Sequence, residues 1–335
     1  MWHGQKKLRD QVIVITGASS GIGLATARLA AERGAAVVLV SRDEEALARI
    51  ADELRSAGGR ATHVSVDVAD PSSVERIAEV AVRDFGGFDT WVNDAGVSST
   101  GALMDVPLDE QRRVFDVSFW GIVYGSRVAV RHFRERGGGT LINVGSIVSD
   151  HAMPLLGVYS ATKHAVKGFT DALRVELEEA SEPVAVTLIK PASIHTPFAA
   201  HSRSHTGREP DLPSPLYDPR VVARAILACA ERPRAEVTVG GTGQAFVWAG
   251  RVAPRFLDRV ARWLGPSGQQ KDEPPRRDDA LFTPGAFGGH ERGPDARFVM
   301  RASPLTAARL HPWRALGLGA LLALGIGALV ARRAR

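Results

Sequence analysis

Three side chains in this sequence could between them run a carbonyl reduction. Ser146 is followed by Tyr159 after twelve intervening residues, and Lys163 comes three intervening residues later. A phenol holds its proton to about pH 10, too tightly for ready exchange at neutrality, and a neighbouring ammonium favours the phenolate. Tyr159 beside Lys163 is therefore a candidate general acid/base. Residues at i and i+4 share a helix face, and VYSATKHAVKGFTDALRVEL carries apolar residues at helical intervals with no proline. Ser146, just after the apolar run GTLINVG, would stand at a strand end and offer a hydrogen bond to the substrate oxygen. Tyr and Lys at this spacing also occur as an ordinary surface pair, so the sequence upstream has to decide.

Upstream lies a nucleotide site. The stretch QVIVITGASSGIGLATARLAAERGAAVVLVSR reads as a buried strand from Val12 to Thr16, a glycine-rich turn, a helix, and a second strand from Ala36 to Ser41. Gly17, Gly21 and Gly23 fall in the turn and the first turn of the helix, where glycine lets the backbone approach a pyrophosphate. The helix N-terminus meets that charge with free N–H groups.

TGASSGIG, NDAG at 93–96, Ser146, YSATK and KPASIHT, in this order over about residues 8 to 250, resemble the short-chain dehydrogenase/reductase family. The resemblance implies an α/β, Rossmann-type doubly wound parallel sheet with helices on both faces, here with a C-terminal extension. It also implies hydride transfer between nicotinamide C4 and a carbonyl or alcohol carbon. Ser146 would polarise the substrate oxygen and Tyr159 exchange its proton, while Lys163 would lower the tyrosine pKa and hold the nicotinamide ribose. Gly17, Ser19, Ser20, Gly21, Ile22 and Gly23 would cradle the dinucleotide, and Asp67 and Val68 would contact adenine. Asn93, Ala95 and Gly96 would line the cleft, with Pro191, Ala192, Ile194 and Thr196 flanking the nicotinamide. Family members are commonly homo-oligomers.

Two positions depart from the family pattern. Ser118 stands where asparagine is usual beside the active-site lysine, and a water could fill the difference. Ala192 replaces the usual glycine after Pro191, a change with little effect if φ there is negative. At the end of the second strand, Ser41 and Arg42 stand where NAD-specific members place an acid. A guanidinium can pair with a 2′-phosphate, which points to NADP(H) with NAD(H) possible. In the alternative, Arg42 is merely solvated. Asp43 is the expected N-cap of the next helix.

The chain has 335 residues with 44% hydrophobic content, enough for a sizeable core. Strand and helix patterns alternate to about residue 241, with helices near 71–85, 108–135, 157–179 and 219–230, giving one catalytic domain over 1–264. Cys229 is the only cysteine, expected as a buried thiol, and the ten histidines show no metal-ligand spacing. His195 and His201 are expected on a mobile substrate loop. Residues 1–295 carry 35 basic against 37 acidic residues, so the high pI belongs to the tail and nucleic-acid binding has no electrostatic motive.

Residues 265–300 are rich in Pro, Gly and charge and read as a flexible linker. The basic tail, 301–335, contains 17 uncharged residues at 315–331, closed by RRAR. This run could be a C-terminal membrane helix, an interfacial segment, or a helix packed in a soluble oligomer. No apolar stretch precedes the first strand, so a catalytic domain facing the cytoplasm is expected. In 246–264, Phe246, Val252, Phe256, Val260 and Trp263 fall at helical spacing among arginines. That piece could rest on anionic lipid or close the substrate cleft as a lid, and Pro254 should bend it. The resulting expectation is a membrane-associated oxidoreductase for a small apolar carbonyl or alcohol, lipid-, steroid- or retinoid-like. A soluble xenobiotic carbonyl reductase and a non-catalytic NADP(H)-binding scaffold remain as alternatives.

Overall fold

The computed structural model describes residues 6–310. The chain begins with β1 (Val12–Thr16), α1 (Gly21–Glu32), β2 (Ala36–Ser41), α2 (Glu44–Ser56), β3 (Arg60–Ser65), α3 (Pro71–Phe85) and β4 (Thr90–Asn93). A two-residue β5 (Ser99–Thr100) then leads to α4 (Leu108–Phe115), a π-helical turn at Asp116–Trp120, and α5 (Gly121–Arg136). Next come β6 (Gly139–Val144), α6 (Gly157–Glu179), β7 (Val184–Pro191), and the short β8 (Arg203–Ser204) and β9 (Leu216–Tyr217). The last elements are α7 (Pro219–Glu231), β10 (Glu236–Val239), α8 (Gly241–Val252), α9 (Pro254–Gly268), β11 (Val299–Met300) and α10 (Pro304–Leu310).

Seven strands form one parallel sheet in the order β10-β7-β6-β4-β1-β2-β3. Such strands are covered on both faces and so read as unbroken apolar runs; β7 is buried at every position. From β1 the chain builds outward to β3 and then returns to place β4 on the other side of β1. This reversal opens a crevice at the carboxyl ends of β1 and β4, where ligands bind in such sheets. Side chains of Asp43, Asp70 and Asp218 cap α2, α3 and α7, and proline opens the last two helices. Cys229 is a fully buried free thiol whose pKa burial pushes up to about 12.

Two expectations fail, each for a definable reason. Pro254 does not bend one helix; it starts a second, because a residue without an N–H is best tolerated in the first helical turn. The break changes the helical phase. Phe246 and Val260 line the interior cavity, whereas Val252, Phe256 and Trp263 are exposed.

Nor is 265–300 a free linker, and the folded unit does not end at 264. Leu281 is fully buried in the core, Val299–Met300 pairs with β9, and α10 buries Leu310 against the same domain. The charges that suggested disorder find partners instead. Asp279 pairs with Arg203, Glu291 with Arg28 and Arg220, Arg292 with Asp218, and Arg297 with Asp211. Composition reports how many charges a segment has, not whether the opposing surface is complementary. The candidate membrane helix at 315–331 lies outside the described residues. Among the described residues, no helix is long and apolar enough to cross a membrane.

Candidate active site

Ser146 follows β6 and caps a short 3-10 turn, Ile147–Ser149, with its hydroxyl accepting from the Val148 N–H at 3.3 Å. Tyr159 and Lys163 lie in the first turns of α6. The Tyr159 hydroxyl is hydrogen-bonded to Ser146, and Lys163 Nζ lies 5.5 Å from the Tyr159 ring centroid. Lys163 is 3% exposed and donates to the Val144 carbonyl at the end of β6, at 2.8 Å. The sequence spacing thus assembles all three side chains in one cavity.

The electrostatics differ from expectation. Burial pushes the Tyr159 phenol above its ordinary value, and the nearby Asp94 carboxylate adds to the shift. Burial also brings Lys163 down to about 8, against the opposing attraction of Asp94. The same burial raises Asp94 to about 7, offset in part by Lys163 and by the Gly23 N–H. The protein alone therefore keeps Tyr159 as a protonated acid. Desolvation of the charged form is the largest cause of the shift, ahead of Asp94 and against the opposing hydrogen bond from Ser146.

The glycine-rich turn fits a dinucleotide phosphate. Gly21 has φ +57°, and a Cβ there would project to 3.3 Å from Thr196 Cβ on the facing loop. A Cβ on Gly23 would collide with the Gly17 carbonyl at 2.2 Å, so glycine is needed there for close packing. Of the first N–H groups of α1, Gly21 donates to the His290 carbonyl, Gly23 to Asp94, and Leu24 to the Ser20 carbonyl. Ile22, the second residue of α1, lines the cavity at this helix N-terminus, where backbone N–H groups suit an anion.

Gly17, Ser19, Ser20, Gly21, Ile22, Ser41, Arg42, Asp67, Val68, Ala95 and Gly96 all line the cavity of about 420 Å³. Pro191, Ala192, Ile194 and Thr196 line it as well. Positive φ among described non-glycine residues occurs only at Leu155 and Ser181, so Ala192 sits without strain. Three expected residues do not reach the wall. Gly23 serves helix packing. Asn93 is 1% exposed, accepts from Trp91 Nε1 and donates to Asn143, joining β4 to β6. Ser118 is fully buried, and its hydroxyl both accepts from the Val97 N–H and donates to the Val97 carbonyl, each at 3.1 Å. Ser118 thus ties the π-helical turn to the loop after β4 by direct bonds.

His195 and His201 are both packed against the folded domain. His195 is buried beneath Gly293, and His201 lines the cavity, its pKa lowered to about 4 chiefly by burial. Asp94 was missed in the sequence; an acid within the NDAG motif was its only signal. Arg113 was missed too: it pairs with Asp67 at 2.5 Å from α4, contact that sequence separation conceals. The substrate end is apolar, walled by Met153, Leu156, Phe198, Leu212, Phe246 and Leu257.

A sequence profile described as short chain dehydrogenase matches residues 11–207, more than half of the chain. The chain belongs to the short-chain dehydrogenase/reductase family. It is accordingly an NAD(P)-dependent oxidoreductase by family. Among relatives of this short-chain dehydrogenase/reductase, the uncharacterized oxidoreductase YxnA of Bacillus subtilis is 45% identical over 92% of this chain and 87% of that protein. The putative oxidoreductase SadH of Mycobacterium tuberculosis is 32% identical over 78% of this chain and 93% of its own length. A short chain dehydrogenase/reductase from Burkholderia phymatum in complex with NAD superposes with a TM-score of 0.67 at 28% identity, covering 76% of this chain and 96% of that one. L-Sorbose reductase from Gluconobacter frateurii, complexed with NADPH and L-sorbose, gives 0.61 at 28% identity over 72% and 98%.

Proposed function

We propose that this protein transfers a hydride between NADP(H) and an apolar ketone, aldehyde or secondary alcohol, with Tyr159 as the general acid/base. The observation that carries the reading is the hydrogen-bonded Ser146–Tyr159 pair with Lys163 over the ring, set between an apolar wall and the glycine-rich turn of one cavity. The dinucleotide would be held by Ile22, Thr196, Lys163 and Arg42, and when bound it supplies or accepts the hydride. Ser146 Oγ orients the substrate oxygen by hydrogen bonding, and Tyr159 Oη holds the proton delivered to that oxygen on reduction. Burial keeps the phenol in its protonated form, the form that donates to a carbonyl oxygen, while making it a weaker acid than a free phenol. Lys163 positions the phenol by packing over it, anchored on Val144. The apolar walls exclude water and favour a substrate with little polar surface beyond the reacting group.

Arg42 supports NADP(H). It has no carboxylate within ion-pair distance among the described residues and stands beside a second guanidinium, Arg113, so this end of the cavity is suited to a phosphate. Solved relatives hold either NAD or NADPH, which leaves the choice to these residues. The test is absorbance of NADPH and NADH with a panel of hydrophobic ketones and aldehydes. Wild-type enzyme should prefer NADPH, and Arg42→Asp should shift the kcat/KM ratio toward NADH by about tenfold or more, since it replaces a phosphate partner by a repelling charge. An unchanged ratio would reduce Arg42 to a structural residue.

Membrane association belongs to the same proposal. Trp248, Val252, Phe256 and Trp263 are exposed on α8 and α9, Trp263 at 79%, with Arg251, Arg255, Arg259 and Arg262 on the same two helices. Aromatic and basic side chains together suit an anionic interface, and the uncharged run at 315–331 adds a second point of attachment. The full chain should co-sediment with anionic vesicles. Retention in high salt would assign attachment to 315–331, release by salt would assign it to the arginine-bearing helices, and no sedimentation would favour the soluble carbonyl reductase reading.

A further inference from the structure

We propose that residues 280–290, in the C-terminal extension, belong to the dinucleotide site itself, forming a strap that roofs its adenosine half and slows nucleotide exchange. The proposal rests on the dinucleotide reading of this cavity. Ala280, Pro284, Gly285 and Gly288 line the same cavity as Ser19, Arg42 and Asp67. The adenosine end is thus walled partly by chain that lies beyond the last strand of the seven-stranded sheet.

The strap is stitched to the nucleotide-binding loops by backbone bonds. Gly289 N–H donates to the Ser19 carbonyl at 2.8 Å, and Gly21 N–H donates to the His290 carbonyl at 2.9 Å. Arg42 donates from Nη1 to the Leu281 carbonyl at 3.3 Å and from Nη2 to the Ala280 carbonyl. Arg113 Nε donates to the same Leu281 carbonyl at 3.0 Å. Arginine 42, the phosphate candidate, is thereby fixed in place by the strap rather than left to wander in solvent. A guanidinium has five N–H donors, so two carbonyl contacts leave donors for an anion.

Both ends of the strap are pinned. Leu281 is wholly buried in the core, and Asp279 pairs with Arg203 at 2.8 Å. At the other end, Glu291 reaches Arg28 at 3.2 Å and Arg220 at 3.1 Å, and Arg292 pairs with Asp218 at 2.6 Å. Between them, the backbone lies directly on the start of α2. A Cβ on Gly288 would come within 2.5 Å of Asp43 Oδ2 and 2.7 Å of Ala46 Cβ. A dinucleotide with its adenosine under this strap leaves at that end only when several of these bonds open together. Affinity differences arising this way appear mainly in the dissociation rate.

The test uses the full chain and two variants, Leu281→Ser, which weakens the buried end, and Gly288→Leu, which pushes the strap off α2. NADPH dissociation is followed by fluorescence after a chase with excess NADP⁺, and amide hydrogen exchange is measured with and without NADPH. The proposal expects NADPH to slow exchange across 280–290 in the wild type and both variants to release NADPH about tenfold faster or more. If Leu281→Ser does not fold, judged by its thermal melt, Gly288→Leu and the wild-type exchange pattern decide. Unchanged or faster exchange across 280–290 on adding NADPH, or wild-type dissociation rates in a folded Gly288→Leu, would overturn the roof while leaving the dinucleotide reading standing. Failure of the full chain to bind either NADPH or NADH would overturn the dinucleotide reading, and this proposal with it.

Discussion

Tyr159→Phe should lower turnover by at least ~100-fold while leaving the melting temperature and NADPH titration close to wild type. The substitution keeps the ring, which contacts Phe198 with centroids 5.1 Å apart and supports Lys163 at 5.5 Å. Only the hydroxyl goes, and with it the hydrogen bond to Ser146 and the proton delivered to the substrate oxygen. No other phenol lines the cavity to replace it, and Asp94, its pKa raised by burial, is engaged by the Gly23 N–H. Steady-state kcat with NADPH in excess, alongside a fluorescence titration of NADPH, separates loss of chemistry from loss of binding. Turnover within a few-fold of wild type would overturn Tyr159 as the acid and leave the site in need of another proton source.

Lys190→Met should destabilise the fold by about 3–5 kcal/mol, the range for removing one partner from a buried ion pair. Lys190 is fully buried at the end of β7, where its ammonium meets Asp150 and, at 2.7 Å, Glu236. Asp150 side chain is 6% exposed and closes the turn that begins at Ser146; Arg251 of α8 also reaches it, at 3.4 Å. Methionine keeps most of the volume but leaves Asp150 nearly buried with one exposed cation, Arg251, as its remaining partner. For a domain of this size the melting temperature should fall by about 10 °C. Turnover measured well below the new melting temperature should drop as well, because the same pair holds the segment bearing Ser146 against β7. A melting temperature within about 1 °C of wild type would mean that the pair contributes nothing net, as happens when desolvation cancels attraction.

Local chemistry made much of this protein readable from its residues in order. β1 and β2 are unbroken apolar runs, the signature of strands covered on both faces, and their bounds at Val12–Thr16 and Ala36–Ser41 coincide with expectation. Asp70 and Asp218, each followed by proline, mark helix starts by local hydrogen bonding and fixed φ. Tyr159 and Lys163 meet because four residues make about one helical turn, a property of backbone geometry that needs no tertiary information.

What depended on distant partners was not readable in this way. Ser118 reads as a shortened asparagine, whereas the fold decides that the Val97 N–H and carbonyl stand within reach of its hydroxyl. Lys163 was expected to lower the Tyr159 pKa, but depth of burial and the Asp94 carboxylate decide that balance, and neither is a property of spacing. Arg42 was legible as a cation at the end of β2, whereas the carbonyls that orient it come from Ala280 and Leu281, more than two hundred residues away. The segment 265–300 shows the difference most fully. Its charges and glycines forbid a core of its own, and that much the residues alone determined. Whether such a segment stays in solvent depends on whether another surface presents opposite charges and open carbonyls at matching positions, and only the folded chain supplies that surface.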